Sequence, residues 1–137
     1  MISRQKLVIP TYEMDEAEKA PIFYDVRNHQ GTRGNLYPIP MIDTFTNVKA
    51  DKTYEAILLE NEFLRITVLP ELGGRIYEGY DKKADYHFVY KNNVIKPALI
   101  GLGGAWISGG IEFNWPQHHR PTTYMPVDSW IEKGEDG

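Results

Sequence analysis

Two strand-like segments joined by a tight turn constrain the fold of this chain more than any other feature. In residues 63–69 and 75–81, the pattern of residue types fits the two-residue period of a β-strand, in which successive side chains point to opposite faces. The residues between them, 70–74, read Pro-Glu-Leu-Gly-Gly. Proline fixes one backbone angle and glycine permits positive φ, so this sequence is typical of a turn. The segments therefore predict a β-hairpin.

The segments on either side extend this hairpin into a meander. Residues 53–60 predict a strand that breaks at residues 61–62, and residues 86–91 predict another, in which every second residue is aromatic. In the 63–69 segment, one face carries Leu64, Ile66 and Val68, whereas the other carries Phe63, Arg65, Thr67 and Leu69. This pattern indicates a strand that is buried on one side and partly covered on the other.

The remaining segments are less regular. Residues 7–10 are strand-like, and the acidic run at residues 13–20 predicts one or two helical turns that end before Pro21. Residues 98–110 are apolar but contain five glycines, which neither a regular helix nor a central strand tolerates well. We expect a shaped loop there, beneath a binding site.

With 137 residues, 42% of them hydrophobic and 25% charged, the chain fits one globular domain. Within that single domain, residues 1–52 form an irregular, turn-rich N-terminal part with some strands. Residues 53–137 form an antiparallel meander with a glycine-rich loop. The net charge of −4 argues against a nucleic-acid partner. The absence of cysteine excludes disulfides and thiolate chemistry.

The first residues lack the apolar stretch of a signal peptide, and no segment is long and apolar enough to span a bilayer. We therefore expect a cytoplasmic protein without a membrane partner.

The run from residue 109 to residue 120 is the strongest candidate for a ligand site. It contains a carboxylate, an amide, an indole, two imidazoles and a guanidinium: Glu112, Asn114, Trp115, His118, His119 and Arg120. Sugar sites use this mixture, because aromatic faces pack on the C–H face of the ring while polar groups bind its hydroxyls. Taken singly, each of these residues is more simply explained as a core aromatic or a turn cap. Together they predict a carbohydrate site.

Arg75 joins the predicted site because it directly follows the glycine turn. Its planar guanidinium can reach across a sheet to a carboxylate or to a sugar hydroxyl. A solvated surface arginine is the alternative explanation. A metal ion is the rival occupant, since His118 and His119 with Glu112 offer suitable ligand atoms. Adjacent residues of an extended chain point to opposite sides, however, so we expect no metal and no cofactor.

Three stretches resemble a known family: residues 59–76 (LENEFLRITVLPELGGRI), 96–101 (KPALIG) and 104–116 (GAWISGGIEFNWP). They are similar to a bacterial domain family of unknown function related to the galactose mutarotase (aldose 1-epimerase) superfamily. Residues 9–12, 119–121 and 125–128 extend the likeness. The resemblance implies an all-β fold with little helix, a large antiparallel β-sandwich of the mutarotase type. A complete sandwich of that type is about twice as long, so the chain resembles its N-terminal part.

In mutarotases a histidine protonates the ring oxygen while a glutamate removes the anomeric proton, as general acid and base. The resemblance therefore implies that His118 or His119 is the acid and that the base lies beyond residue 137. Glu112 could instead be one of two glycosidase carboxylates. We accordingly treat His118, His119 and Glu112 as candidate catalytic residues, and Arg75, Asn114, Trp115 and Arg120 as candidate substrate-binding residues.

Two functions remain open at the level of the sequence. The first is the N-terminal part of a carbohydrate-active enzyme, an epimerase or a glycoside-cleaving enzyme, which binds a mono- or oligosaccharide. The second is a non-catalytic carbohydrate-binding or structural sandwich domain that packs against other domains. For either, exposed strand edges predict self-association.

Overall fold

The computed structural model describes residues 1–16, 22–23, 36–37, 44–99, 105–114 and 125–134. The strands are β1 (Ile2–Met14), β2 (Ile22–Phe23), β3 (Leu36–Tyr37), β4 (Phe45–Glu60), β5 (Leu64–Leu69), β6 (Arg75–Asp81), β7 (Tyr86–His87), β8 (Pro97–Leu99) and β9 (Ala105–Ile107). Within these ranges, the one helical element is a 3₁₀ turn at Pro70–Leu72. The all-β prediction is confirmed.

A five-stranded sheet in the order β1-β4-β5-β6-β7 forms the main layer, and its neighbouring strands are antiparallel. Two smaller antiparallel pairs, β2-β3 and β8-β9, accompany it. In the part of the chain that the structure describes, no helix has the length and apolarity needed to cross a membrane.

The core lies on one face of the five-stranded sheet, which we call the inner face. Its buried residues come from β1, β4, β5, β6 and the 3₁₀ turn, and are joined by residues of the later chain that crosses over them: Ile9, Tyr54, Ala56, Leu69, Leu72, Tyr77, Ile95 and Ile107. Backbone hydrogen bonds between Tyr12 and Ile95 and between Ile95 and Pro10 attach the crossing chain to the edge strand β1. The inner face is therefore covered by chain that follows the sheet in sequence.

The hairpin of β5 and β6 confirms the prediction made for residues 63–81. Pro70 begins the 3₁₀ turn, and Gly73 and Gly74 have φ of 70° and 67°, which glycine adopts without strain. The break predicted at residues 61–62 also lies between β4 and β5. Proline and glycine fix this turn locally, so the sequence alone is sufficient to place it.

The structure shows which face of β5 is buried. Thr67 and Leu69 are 2% and 0% exposed, whereas Leu64 on the opposite face is 37% exposed. The face that carries Leu64 is thus the less buried one, although it is the more uniformly apolar. We call it the outer face of the sheet.

Several strand boundaries differ from the sequence-based expectation. β1 extends over 13 residues and includes Glu13 and Met14, so the helical turns predicted for residues 13–20 are wrong at their start. Residues 17–20 lie outside the described residues. β4 already begins at Phe45, so the division that we placed between residues 52 and 53 lies within a strand. Pairing with β1 along nearly its whole length accounts for this early start.

Two further expectations are corrected in the second half of the chain. Only Tyr86–His87 of the strand predicted for residues 86–91 forms, because the backbone then turns and Phe88 and Val89 both donate to the Gly79 carbonyl. The expected loop at residues 98–110 instead contains residues of the paired strands β8 and β9, and residues 108–110 follow β9 without strand structure. Residues 100–104 lie outside the described residues.

Alanine substitution on the two faces of β5 tests this assignment. Leu69→Ala should lower the free energy of unfolding by about 2–5 kcal/mol, because it leaves a cavity in the core. Leu64→Ala, on the outer face, should cost clearly less. Chemical denaturation of both variants measures the difference, and equal losses would contradict the assignment of the inner face.

Candidate functional site

Arg75 occupies the first position of β6 and is one of the largest fully buried side chains among the described residues, at 2% exposure. One terminal guanidinium nitrogen lies 3.0 Å from Glu112 Oε2, and the other terminal nitrogen donates a hydrogen bond to the Gly109 carbonyl. The Glu112 side chain is 9% exposed, so the ion pair is nearly shielded from water. Arg75 therefore reaches a carboxylate, the first of the two kinds of partner expected for it.

Burial lowers the pKa of Arg75 from its ordinary value, and the neighbouring Glu112 opposes that shift. Arg75 Nε is buried, and none of the described residues accepts a hydrogen bond from it. Removing one partner of a buried ion pair costs about 3–5 kcal/mol, because the other charge is left uncompensated. The pair thus contributes to the fold as well as to the predicted site.

The segment that carries Glu112 is attached to β6 by backbone hydrogen bonds. Ile76 and Ile111 bond each other in both directions, at 3.2 and 2.8 Å, and Gly110 N donates to the Tyr90 carbonyl at 2.7 Å. Gly109 and Gly110 have φ of 90° and 73°, a region that residues with a Cβ rarely adopt. These contacts fix the direction in which the chain enters the predicted sugar loop.

The candidate residues fall into two groups. Arg75 and Glu112 are brought together, and Asn114 follows them as an exposed residue that has a partner of its own. The other four, Trp115, His118, His119 and Arg120, lie outside the described residues. Their roles as catalytic or substrate-binding groups stay predictions.

A polar cluster that the sequence-based reasoning did not identify lies on the inner face, around Glu78. Its carboxylate is 2.9 Å from Lys91 Nζ and 3.3 Å from both Thr67 Oγ1 and His87 Nδ1. The available signal was a glutamate in the middle of a strand, opposite a threonine of the preceding strand. To recognise the cluster from this signal, one has to know how β5 pairs with β6, because their register shifts at a bulge after Thr67.

A metal site remains without structural support in the part of the chain that is described. No three histidine, aspartate or glutamate side chains there are grouped so as to hold an ion. The histidines proposed as rival ligands, His118 and His119, lie outside that part.

Comparison with known proteins identifies the family. The model of a domain of unknown function, DUF5107, matches residues 32–137. The chain belongs to the DUF5107 family. The match covers the β4–β6 meander, the Arg75–Glu112 pair and the predicted sugar loop.

A solved structure is similar over almost the whole chain. It is that of a TPR-domain containing protein from Parabacteroides distasonis ATCC 8503, with a TM-score of 0.78 and 25% sequence identity. The alignment covers 98% of this chain but only 22% of the other protein. This DUF5107 chain therefore spans about a fifth of the length of that neighbour.

Substitution of Gly110 tests whether the Glu112 segment depends on its backbone geometry. A Cβ at Gly110 would lie 2.4 Å from the Ile76 carbonyl oxygen, in addition to the strain of a positive φ. Gly110→Ala should therefore lower the melting temperature and destabilise the chain by more than about 1 kcal/mol. Gly134→Ala is the matched control, because a Cβ there meets nothing within 4 Å. Similar melting temperatures for the two variants would contradict the described packing.

Proposed function

We propose that this DUF5107 domain binds carbohydrate and that the loop following Glu112 forms one wall of the binding site. The observation that carries this proposal is the anchoring of the loop. The buried Arg75–Glu112 pair and the Ile76–Ile111 hydrogen bonds hold its start against β6. A rigid scaffold that carries binding groups on a surface loop is a common arrangement in folds.

The composition of the loop supports a sugar as the ligand. It supplies an indole for stacking and two imidazoles, a guanidinium and an amide for hydroxyl groups. The likeness to the mutarotase superfamily, inferred from sequence, favours the same class of ligand. We propose His118 or His119 as the general acid if the parent protein is an epimerase or glycoside-cleaving enzyme.

Glu112 has a different role in this proposal from the one first assigned to it. Its carboxylate is 9% exposed and paired with Arg75, so it is better suited to positioning the loop than to transferring protons. A base for mutarotase-type chemistry would then come from another part of the parent protein. This division leaves the loop histidines as the groups that contact the substrate.

The loop residues can be tested without disturbing the ion pair. Trp115→Ala and the double variant H118A/H119A, made in the full-length protein, should each weaken sugar binding by about fivefold or more, since stacking and hydrogen bonds each contribute about 1 kcal/mol. Isothermal titration with a panel of mono- and oligosaccharides gives the affinity. Trp130→Ala is the matched control, because Trp130 is 73% exposed and lies outside the loop. Unchanged binding and turnover in the loop variants would refute the proposal.

A second function is favoured by the outer face of the sheet. Ile2, Leu59 and Leu64 are 50%, 37% and 37% exposed there, and Ile2 and Leu59 are directly paired. An apolar sheet face of this kind is normally packed against another layer. We infer that the rest of a longer polypeptide covers it, as the length of the TPR-domain containing neighbour suggests. In this alternative the domain is a structural or non-catalytic binding unit.

Lysine substitutions test whether another layer of the protein covers the outer face of the sheet. In the full-length protein, Leu59→Lys should lower the free energy of unfolding by about 3 kcal/mol or more, because an unpaired ammonium would be buried. Thr53→Lys, at an exposed polar position of the same strand, is the control. Denaturation curves of both variants that agree with the curve of the unsubstituted protein would show that nothing packs on Leu59.

A further inference from the structure

Glu78 is a buried carboxylate surrounded by donors. Its side chain is only 12% exposed, and in addition to Lys91, Thr67 and His87 it has Arg65 Nε at 4.0 Å. Burial alone would raise the pKa of Glu78, but the hydrogen bond from Lys91 and the charges of Lys91 and Arg65 outweigh it and hold that pKa below its usual value. The carboxylate is therefore ionised at neutral pH.

A cavity of about 240 Å³ opens beside Glu78 and Lys91. One wall is formed by residues 7–10 of β1, which lies at the edge of the sheet. The remaining lining is polar or aromatic: Gln5, Thr67, Tyr77, Glu78, Lys91 and Asn93. The cavity lies entirely within described parts of the chain, and none of its lining residues belongs to the Arg75–Glu112 pair or to the predicted sugar loop.

The chemistry of the lining indicates the kind of molecule that fits. Glu78 and Lys91 are the charged residues of the lining, and their charges cancel, which favours an uncharged ligand. Lys91 has three N–H donors, one of which is used by Glu78, and Gln5 and Asn93 carry amides that both donate and accept. A molecule with several hydroxyl groups matches this alternation of donors and acceptors.

The size of the cavity limits the ligand further. Pockets that hold drug-sized molecules measure about 300–1,000 Å³, so a cavity of this volume admits about one sugar ring. Tyr77 supplies an aromatic wall, and its hydroxyl is already held by the Asn92 carbonyl at 3.0 Å. Its ring is thus fixed in place as part of the cavity wall.

We propose that the pocket between β1 and the Glu78–Lys91 pair is a binding site for a single uncharged polyhydroxyl molecule of monosaccharide size. The site is separate from the predicted sugar loop that follows Glu112, and it does not depend on sugar binding by that loop. Lys91 donates to ligand hydroxyls while remaining paired with Glu78. Gln5 and Asn93 bind hydroxyls at the rim.

Isothermal titration of the full-length protein with glucose, galactose, mannose and myo-inositol tests the pocket. Gln5→Ala, Asn93→Ala and Lys91→Met should each weaken the binding of at least one of these probes, by about tenfold for Lys91→Met, since hydrogen bonds to charged groups contribute most. Gln5 and Asn93 are exposed, so their truncation should leave the melting temperature unchanged. Lys83→Met and Asn47→Ala, at exposed positions outside the pocket, are the matched controls.

The same titrations separate this pocket from the loop. Binding that is unchanged in H118A/H119A but weakened in Gln5→Ala and Lys91→Met supports the pocket and counts against the loop as the site of these probes. Binding that is lost only in H118A/H119A overturns the pocket and leaves the loop proposal intact. Absence of binding by all four probes, or tighter binding of glucuronate than of glucose, also overturns the proposed uncharged ligand.

Discussion

The burial of one guanidinium determines much of the second half of this structure. Arg75 stands at the start of β6 beneath the crossing chain, where an unpaired charge would be prohibitively costly. Glu112 and the Gly109 carbonyl meet that requirement from a segment more than 30 residues later. The chain from β7 to Glu112 must therefore return to β6, and in doing so it brings Ile95 and Ile107 onto the inner face of the sheet.

Sequence-based reasoning was most successful where the structure is fixed by neighbouring residues. The turn at residues 70–74 follows from proline and glycine, and both flanking strands follow from their alternation. For Arg75 the sequence allowed a carboxylate, a sugar hydroxyl or solvent as the partner, and the structure places it against a carboxylate. Each of these features involves few residues and a single geometric argument.

The features that were missed depend on distant partners. The length of β1 is set by pairing with β4, and Ile2 and Leu59 are too far apart in sequence for alternation alone to reveal their contact. The buried face of β5 depends on which residues cover it, and Leu64 and Leu69 are equally apolar. The Glu78 cluster required the shifted register after Thr67. Long-range register is not encoded in any local pattern.

The order of the strands has a consequence for how the chain assembles. β4, β5 and β6 are joined by short turns, so their pairing closes small loops, whereas β1 must find β4 across the whole of residues 15–44. Closing longer loops costs more entropy and slows folding. We therefore expect β1 to dock late. The pocket beside Glu78 has one wall from β1 and another from β6, so it comes into existence only with that last step. A molecule held there would join the earliest and the latest strands of the sheet, and its release would loosen the edge strand first.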